Sequence, residues 1–160
     1  MLKPLNEFIC DRCGVIIERP EDGCVEWLNG IDERGKPFAK GFKIVHSSHA
    51  SPLKGMLGCY HHAMSGQGND LPLDVFMKYT HQQLFSFLSL GPILDPEGIS
   101  RSQISDYNEF ADFFRRLTIP YYEEARHYFV EASQDSEFLE KNEITVFSED
   151  TLKSIIEQYG

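Results

Sequence analysis

The sequence contains no apolar run approaching the ~20 residues that a membrane-spanning helix needs, so no helical membrane segment is expected. It also lacks H-E-x-x-H, G-x-S-x-G and any glycine-rich phosphate loop, which removes the local signatures of common metalloproteases, serine hydrolases and phosphate cradles. Basic charge is scarce: 15 Lys and Arg face 25 Asp and Glu, and the net charge of −10 works against recognition of a phosphate backbone. There is no internal repeat and no low-complexity tract. The opening "MLKPLNEFIC" has neither a long apolar core nor a small-residue cleavage site, so it does not read as a secretory signal. The expectation is a cytoplasmic protein whose thiols stay reduced, which places disulfide pairing of the four cysteines well behind metal ligation or burial.

What is present describes a folded chain. A hydrophobic fraction of 41% and an aromatic fraction of 12% exceed what a disordered chain carries, and 160 residues suffice for one sizeable core or two small units. The acidic excess is unevenly placed. Residues 1–65 carry 8 basic and 8 acidic side chains, whereas residues 66–160 carry 7 and 17. Five of the six histidines precede residue 82. Both shifts meet at the polar, glycine-rich "SGQGND", which marks the expected boundary between a β unit (1–65) and an acidic α-helical domain (66–160).

The first third reads as β structure. "EFIC", "GVIIE" and "CVEWL" are short apolar runs separated by "DRCG" and the turn "RPEDG", and "FAKGFKIVH" resumes the extended pattern after a polar loop. On that last run Phe42, Ile44 and His46 share one face. The following "SSHASPLKGMLGCYHHAMSGQGND" has no period, and a loop of that length in a small unit needs something to hold it. From Leu71 the pattern is helical. Thr80 and Gln83 form a T-x-x-Q capping box before Leu84, Phe85, Phe87 and Leu88. Asp106 caps a helix with Phe110, Phe113, Phe114 and Leu117 at core-facing spacing. Pro120 opens a further helix with Tyr121, Ala125, Tyr128 and Ala132 on one face. "EITVF" reads as a short strand or extended lead-in, and Ser148 caps a last helix carrying Leu152, Ile155, Ile156 and Tyr159. The fold class is therefore α+β: an antiparallel β unit followed by a bundle of about four helices.

The chemistry concentrates on cysteine and histidine. Cys10 and Cys13 are spaced C-x-x-C, so their sulfurs can converge on one point, and Gly14 lets backbone N–H groups approach them. A thioredoxin-like redox pair would open a helix, but here the strand-like "GVIIE" follows. A tetrahedral structural zinc needs two more nitrogen or sulfur ligands. His46, His49, Cys59, His61 and His62 compete for these places. Cys59 is preferred as a thiolate, and His46 because it ends a strand that holds its ring in a defined direction. The expected site is Cys10, Cys13, His46 and Cys59 around one structural Zn2+ per chain, with His49, His61 or His62 as substitutes. Cys24 reads as a small core residue, and the Phe and Tyr stripes of residues 84–129 as core.

"CDRCG" followed by a β-hairpin, with a second pair of ligands thirty or more residues later, resembles the zinc-ribbon and treble-clef class of zinc fingers over residues 6–62. The likeness implies a zinc that replaces part of a hydrophobic core. The chain departs from the class in having no second C-x-x-C.

Three functions compete. The favoured one is a non-enzymatic zinc-binding module whose acidic helical part meets a protein partner. A nucleic-acid-binding ribbon would use Lys36, Lys40, Lys43 and Lys54 with Phe38, Phe42 and Tyr60. A metal-dependent hydrolase would need an open zinc position and a general base, for which Asp11 is the only obvious candidate in the N-terminal half.

Overall fold

Short β-branched and aromatic runs broken by glycine turns build the N-terminal strands. The computed structural model describes residues 1–98 and 103–160. Strands β1 (Phe8–Ile9) and β2 (Ile16–Ile17) form an antiparallel hairpin whose turn is the C-D-R-C-G segment. Strands β3 (Gly23–Ile31), β4 (Pro37–His46) and β5 (Gly68–Pro72) make an antiparallel sheet in the order β4-β3-β5. The β3–β4 turn is set by Asp32, whose side chain accepts the N–H groups of Arg34 and Lys36 at 2.9 and 2.8 Å. Pairing slips between Glu26↔Lys43 and Leu28↔Lys40, so β4 carries one extra residue there. Gly41 sits in that bulge at φ +70°, a conformation that glycine adopts without steric cost.

Eight helices follow: α1 (Leu73–Lys78), α2 (Thr80–Leu88), α3 (Gly91–Leu94), α4 (Tyr107–Thr118), α5 (Tyr122–Ala125), α6 (Phe129–Ala132), α7 (Ser136–Leu139) and α8 (Glu149–Tyr159), counted among the described residues. Asp106 caps α4 by accepting from Asn108 and Glu109, and Ser148 caps α8 by accepting from Thr151, as their sequence positions predict.

Three local expectations are corrected. Thr80 is not an N-cap: its hydroxyl donates backward to the Met77 carbonyl at 2.7 Å, because α1 runs almost directly into α2 and leaves few orphan N–H groups to satisfy. "EITVF" is neither strand nor extended lead-in. The Asn142 side chain accepts the N–H groups of Ile144 and Thr145 and winds the segment into turns. The helix expected over residues 121–132 is broken into α5, a 3-10 turn at Arg126–Tyr128, and α6. Its apolar spacing survives, with Ala125 and Ala132 buried, while Arg126 turns toward Asp11.

The main core lies between the sheet and α1, α2 and α4. Phe42 of β4 is at its centre, stacked on Phe113 at 5.0 Å and edge-on to Phe87 at 5.1 Å. Val25, Ile44, Leu73, Phe76, Leu84 and Phe110 belong to the same core, as do Phe8, Ile17 and Val45. A second, smaller core joins Tyr122, Ala125, Ala132 and Phe138 to Leu152, Ile155 and Ile156 of α8. The boundary expected between residues 65 and 66 is thus a change in sequence character rather than a division of the core. The chain beyond it supplies β5 to the sheet and Leu73, Phe76 and Phe113 to the shared core. No helix among the described residues is long and apolar enough to cross a membrane.

Candidate metal centre

The C-x-x-C turn closes on itself. The Cys10 N–H donates to the Val15 carbonyl at 3.0 Å, and the Gly14 N–H donates to the Cys10 carbonyl at 2.9 Å. Gly14 makes this possible at φ +73°. The turn is stitched to β4 through Asp11, whose N–H donates to the Ile44 carbonyl at 2.8 Å while its Oδ2 accepts the Ile44 N–H at 2.7 Å. Two residues beyond Ile44 the strand ends at His46, beside the two cysteines.

His46 is buried, and its two ring nitrogens face different partners. Nδ1 lies 3.5 Å from Cys13 Sγ and 3.8 Å from Cys59 Sγ. Nε2 lies 3.3 Å from the Ile16 carbonyl oxygen. Donation of Nε2–H to that carbonyl leaves the Nδ1 lone pair directed at the sulfurs, the arrangement by which an outer hydrogen bond fixes the tautomer of a metal-ligating histidine.

Cys59 arrives from the long loop after β4 and is fully buried. That loop is held by Glu26, a buried carboxylate in the middle of β3 that accepts the His61 N–H at 2.7 Å and the His62 N–H at 3.0 Å. The Ser51 hydroxyl donates to Cys59 Sγ at 3.1 Å.

The ligand atoms of Cys10, Cys13, His46 and Cys59 all lie within 4.8 Å of one another. Metal–ligand bonds of about 2.3 Å to sulfur and 2.0–2.1 Å to nitrogen, arranged tetrahedrally, separate the ligand atoms by about 3.5–3.8 Å. The two sulfur–nitrogen distances, 3.5 and 3.8 Å, fall in that range. The four residues chosen from the sequence are therefore the four that the fold brings together, and they could hold one metal ion. Three sulfurs and an imidazole nitrogen form a soft, four-donor set. Burial, with Cys10 and Cys59 close by, pushes the Cys13 thiol up to about 11, although the Val15 N–H works in the opposite direction. A cation at the centre would reverse this balance by binding the thiolate.

The substitute ligands lie elsewhere. His49 is exposed and meets Asp22 at 3.3 Å. His62 points Nε2 at the Gly41 carbonyl at 2.7 Å, and His61 is exposed. Cys24 is a buried thiol directed at the Leu71 carbonyl and Asp70, and burial pushes it up to about 12.

The sequence did not reveal the ion network behind the C-x-x-C turn. Arg116 of α4 is buried and donates to Asp11 Oδ2 at 2.8 Å, to both carboxylate oxygens of Glu123 at 2.6 and 3.0 Å, and to the Ile9 carbonyl at 3.4 Å. Glu123 in turn accepts the Ile9 N–H at 2.9 Å, and Arg126 reaches Asp11 Oδ1 at 3.2 Å. Burial opposes the Arg116 charge, but Glu123 and Asp11 outweigh it and keep the guanidinium protonated. One signal was available: Arg116 lies three residues after Phe113 and next to Leu117, on the apolar face of α4, where a charge requires a buried counter-charge. Glu26, between the buried Cys24 and Val25 on one side and Trp27 on the other, carried a similar signal.

Asp11 is fully engaged by Ile44, Arg116 and Arg126, so it is not placed to act as a general base. Phe42 is buried in the core and cannot stack on a nucleic-acid base. Compared with models of known protein families, with curated proteins and with solved structures, the chain gives no significant match.

Proposed function

We propose that this is a non-enzymatic zinc-binding protein, with one structural zinc held by Cys10, Cys13, His46 and Cys59 in a zinc-ribbon-like unit, and that its acidic helical part serves as a protein-interaction module. The observation that carries the metal reading is the convergence of four donor atoms within 4.8 Å, with His46 Nε2 directed at a backbone carbonyl. Four protein donors leave no open position for a catalytic water, which favours a structural zinc over a hydrolytic one. Zinc would add cohesion where the β1–β2 hairpin, the end of β4 and the Cys59 loop meet, beside Phe8, Ile17 and Val45 of the main core. The interaction reading draws on the acidic excess of residues 66–160, whose natural complement is a basic surface on another protein.

Native mass spectrometry of the purified chain tests the metal reading. The expected result is a single species carrying one zinc, lost together upon acidification or treatment with a chelator. A metal-free species purified in the presence of zinc, still folded and unable to take zinc up, would count against it.

A further inference from the structure

The helical end contains an apolar groove of about 240 Å³ lined by Phe129, Phe138, Leu139, Val146, Phe147 and Ile155. Its floor belongs to the second core, since Phe138 and Ile155 are buried there. Its surroundings are open: Leu139 is 65% exposed, and the nearby chain shows Val130 and Ile144 to solvent. The segment that frames the groove is strongly acidic. Glu131, Glu137, Glu140 and Glu143 are exposed, and Lys141 is the only basic residue between positions 129 and 150. Arg115 of α4 lies over the Phe147 ring at 4.6 Å, and Lys153 of α8 pairs with Glu149 at 2.8 Å.

We infer that this groove receives one face of a basic amphipathic helix from a partner protein. The inference rests on the reading of the helical part as an interaction module and names its docking site. The volume is below the range of about 300–1,000 Å³ typical of small-molecule and cofactor pockets, and suits two or three apolar side chains at i, i+3 or i+4 and i+7. Apolar lining supplies the burial, while the glutamates around it select lysine and arginine on the rest of the helix and speed encounter. A second copy of this chain is a poorer occupant, because it would bring the same acidic segment against itself.

The test uses the full chain loaded with zinc and a synthetic amphipathic peptide about four helical turns long, with leucine on one face and lysine elsewhere. A twin peptide replaces each lysine with glutamate. Calorimetry and amide NMR mapping are the readouts. The lysine peptide is expected to bind, with shifts concentrated at Leu139, Val146 and Ile155, and to weaken as salt rises. Leu139→Lys, at an exposed position, should reduce affinity about tenfold or more while leaving zinc content and the melting curve unchanged. Glu137→Lys combined with Glu140→Lys should weaken the lysine peptide and strengthen its twin. Equal affinity for both peptides, shifts mapping outside the groove, no binding at all, or concentration-dependent self-association through the groove would each overturn the inference. Shifts mapping outside the groove would overturn the docking site alone, whereas no binding by either peptide would count against the interaction reading as well; zinc content, read on every sample, keeps both apart from the metal reading.

Discussion

Arg116 of α4 lies 2.8 Å from the carboxylate of Asp11, so a residue within the C-x-x-C turn is clamped from a helix 105 positions away. The same guanidinium holds Glu123 with two further hydrogen bonds, and Glu123 holds the backbone of Ile9, just before Cys10. The candidate metal centre is therefore fixed from two sides: by donors converging on its centre, and by a buried ion network behind it.

That network sets the first prediction. Arg116→Ala should destabilise the protein by about 3–5 kcal/mol, because it takes from the buried Glu123 its closest counter-charge and from Asp11 one of two, leaving Arg126 alone to face both carboxylates. Asp11→Asn should cost less, about 1–3 kcal/mol, since Glu123 keeps its partner. Denaturant unfolding of the two single variants and the double variant gives the coupling between them. An Arg116→Ala protein within 0.5 kcal/mol of the parent, taken as roughly the usual surface effect, would mean that the network is not formed.

Gly14 allows a cleaner test of backbone geometry. A Cβ added there meets nothing within 4 Å, yet φ is +73°. Gly14→Ala should therefore cost about 1–2 kcal/mol from backbone conformation alone, and Gly14→Asn less, because asparagine tolerates the left-handed region. Thermal melts compare the two. Equal cost for both substitutions would show that crowding, rather than φ, is responsible.

The four cysteines should separate by role. Cys59→Ser is expected to lose the bound metal, whereas Cys24→Ser should keep one metal per chain at a stability cost of about 1–3 kcal/mol for the altered buried polar group. Metal content after dialysis, measured alongside the melts, decides the matter. Retention in Cys59→Ser with loss in Cys24→Ser would invert the assignment.

The pH dependence should change sign with the metal. In chelated protein, burial raises the Cys13 thiol from 9.0 to about 11, so the folded state holds that proton more tightly than the unfolded chain does. Its contribution to stability is then complete below pH 9 and is lost as the pH rises toward 11. Metal-loaded protein should show the reverse dependence on the acid side, because thiolate ligands must be deprotonated, and apparent affinity falls by about tenfold per thiol for each pH unit of acidification. Melting temperature against pH, with and without chelator, should give diverging curves. Parallel curves would argue against thiolate coordination.

The site was legible in the sequence where its chemistry is local. The C-x-x-C-G spacing announces a tight turn, His46 ends an extended run, and Cys59 is the remaining cysteine in a loop that needs an anchor. The caps at Asp106 and Ser148 and the Phe110–Leu117 stripe are equally local and were equally readable. The parts that escaped depend on distant partners. Nothing near Arg116 names Asp11 or Glu123 as its partners, and nothing near Glu26 names the backbone of residues 61–62. The sharing of one core across residue 65 escaped for a related reason: the change in charge and histidine content reports surface composition, while Phe42 packing on Phe113 is a contact between apolar residues on both sides of the boundary.

Cobalt substitution gives the sharpest check on a centre of three thiolates and one imidazole. One Co2+ per chain is expected, with intense visible bands of tetrahedral coordination and near-ultraviolet thiolate charge transfer, displaced stoichiometrically by zinc, reduced in strength by Cys10→Ser or Cys59→Ser and unchanged by Cys24→Ser. Cobalt that binds without thiolate charge transfer, or a spectrum indifferent to the loss of Cys10 and Cys59, would contradict a metal centre built from Cys10, Cys13, His46 and Cys59.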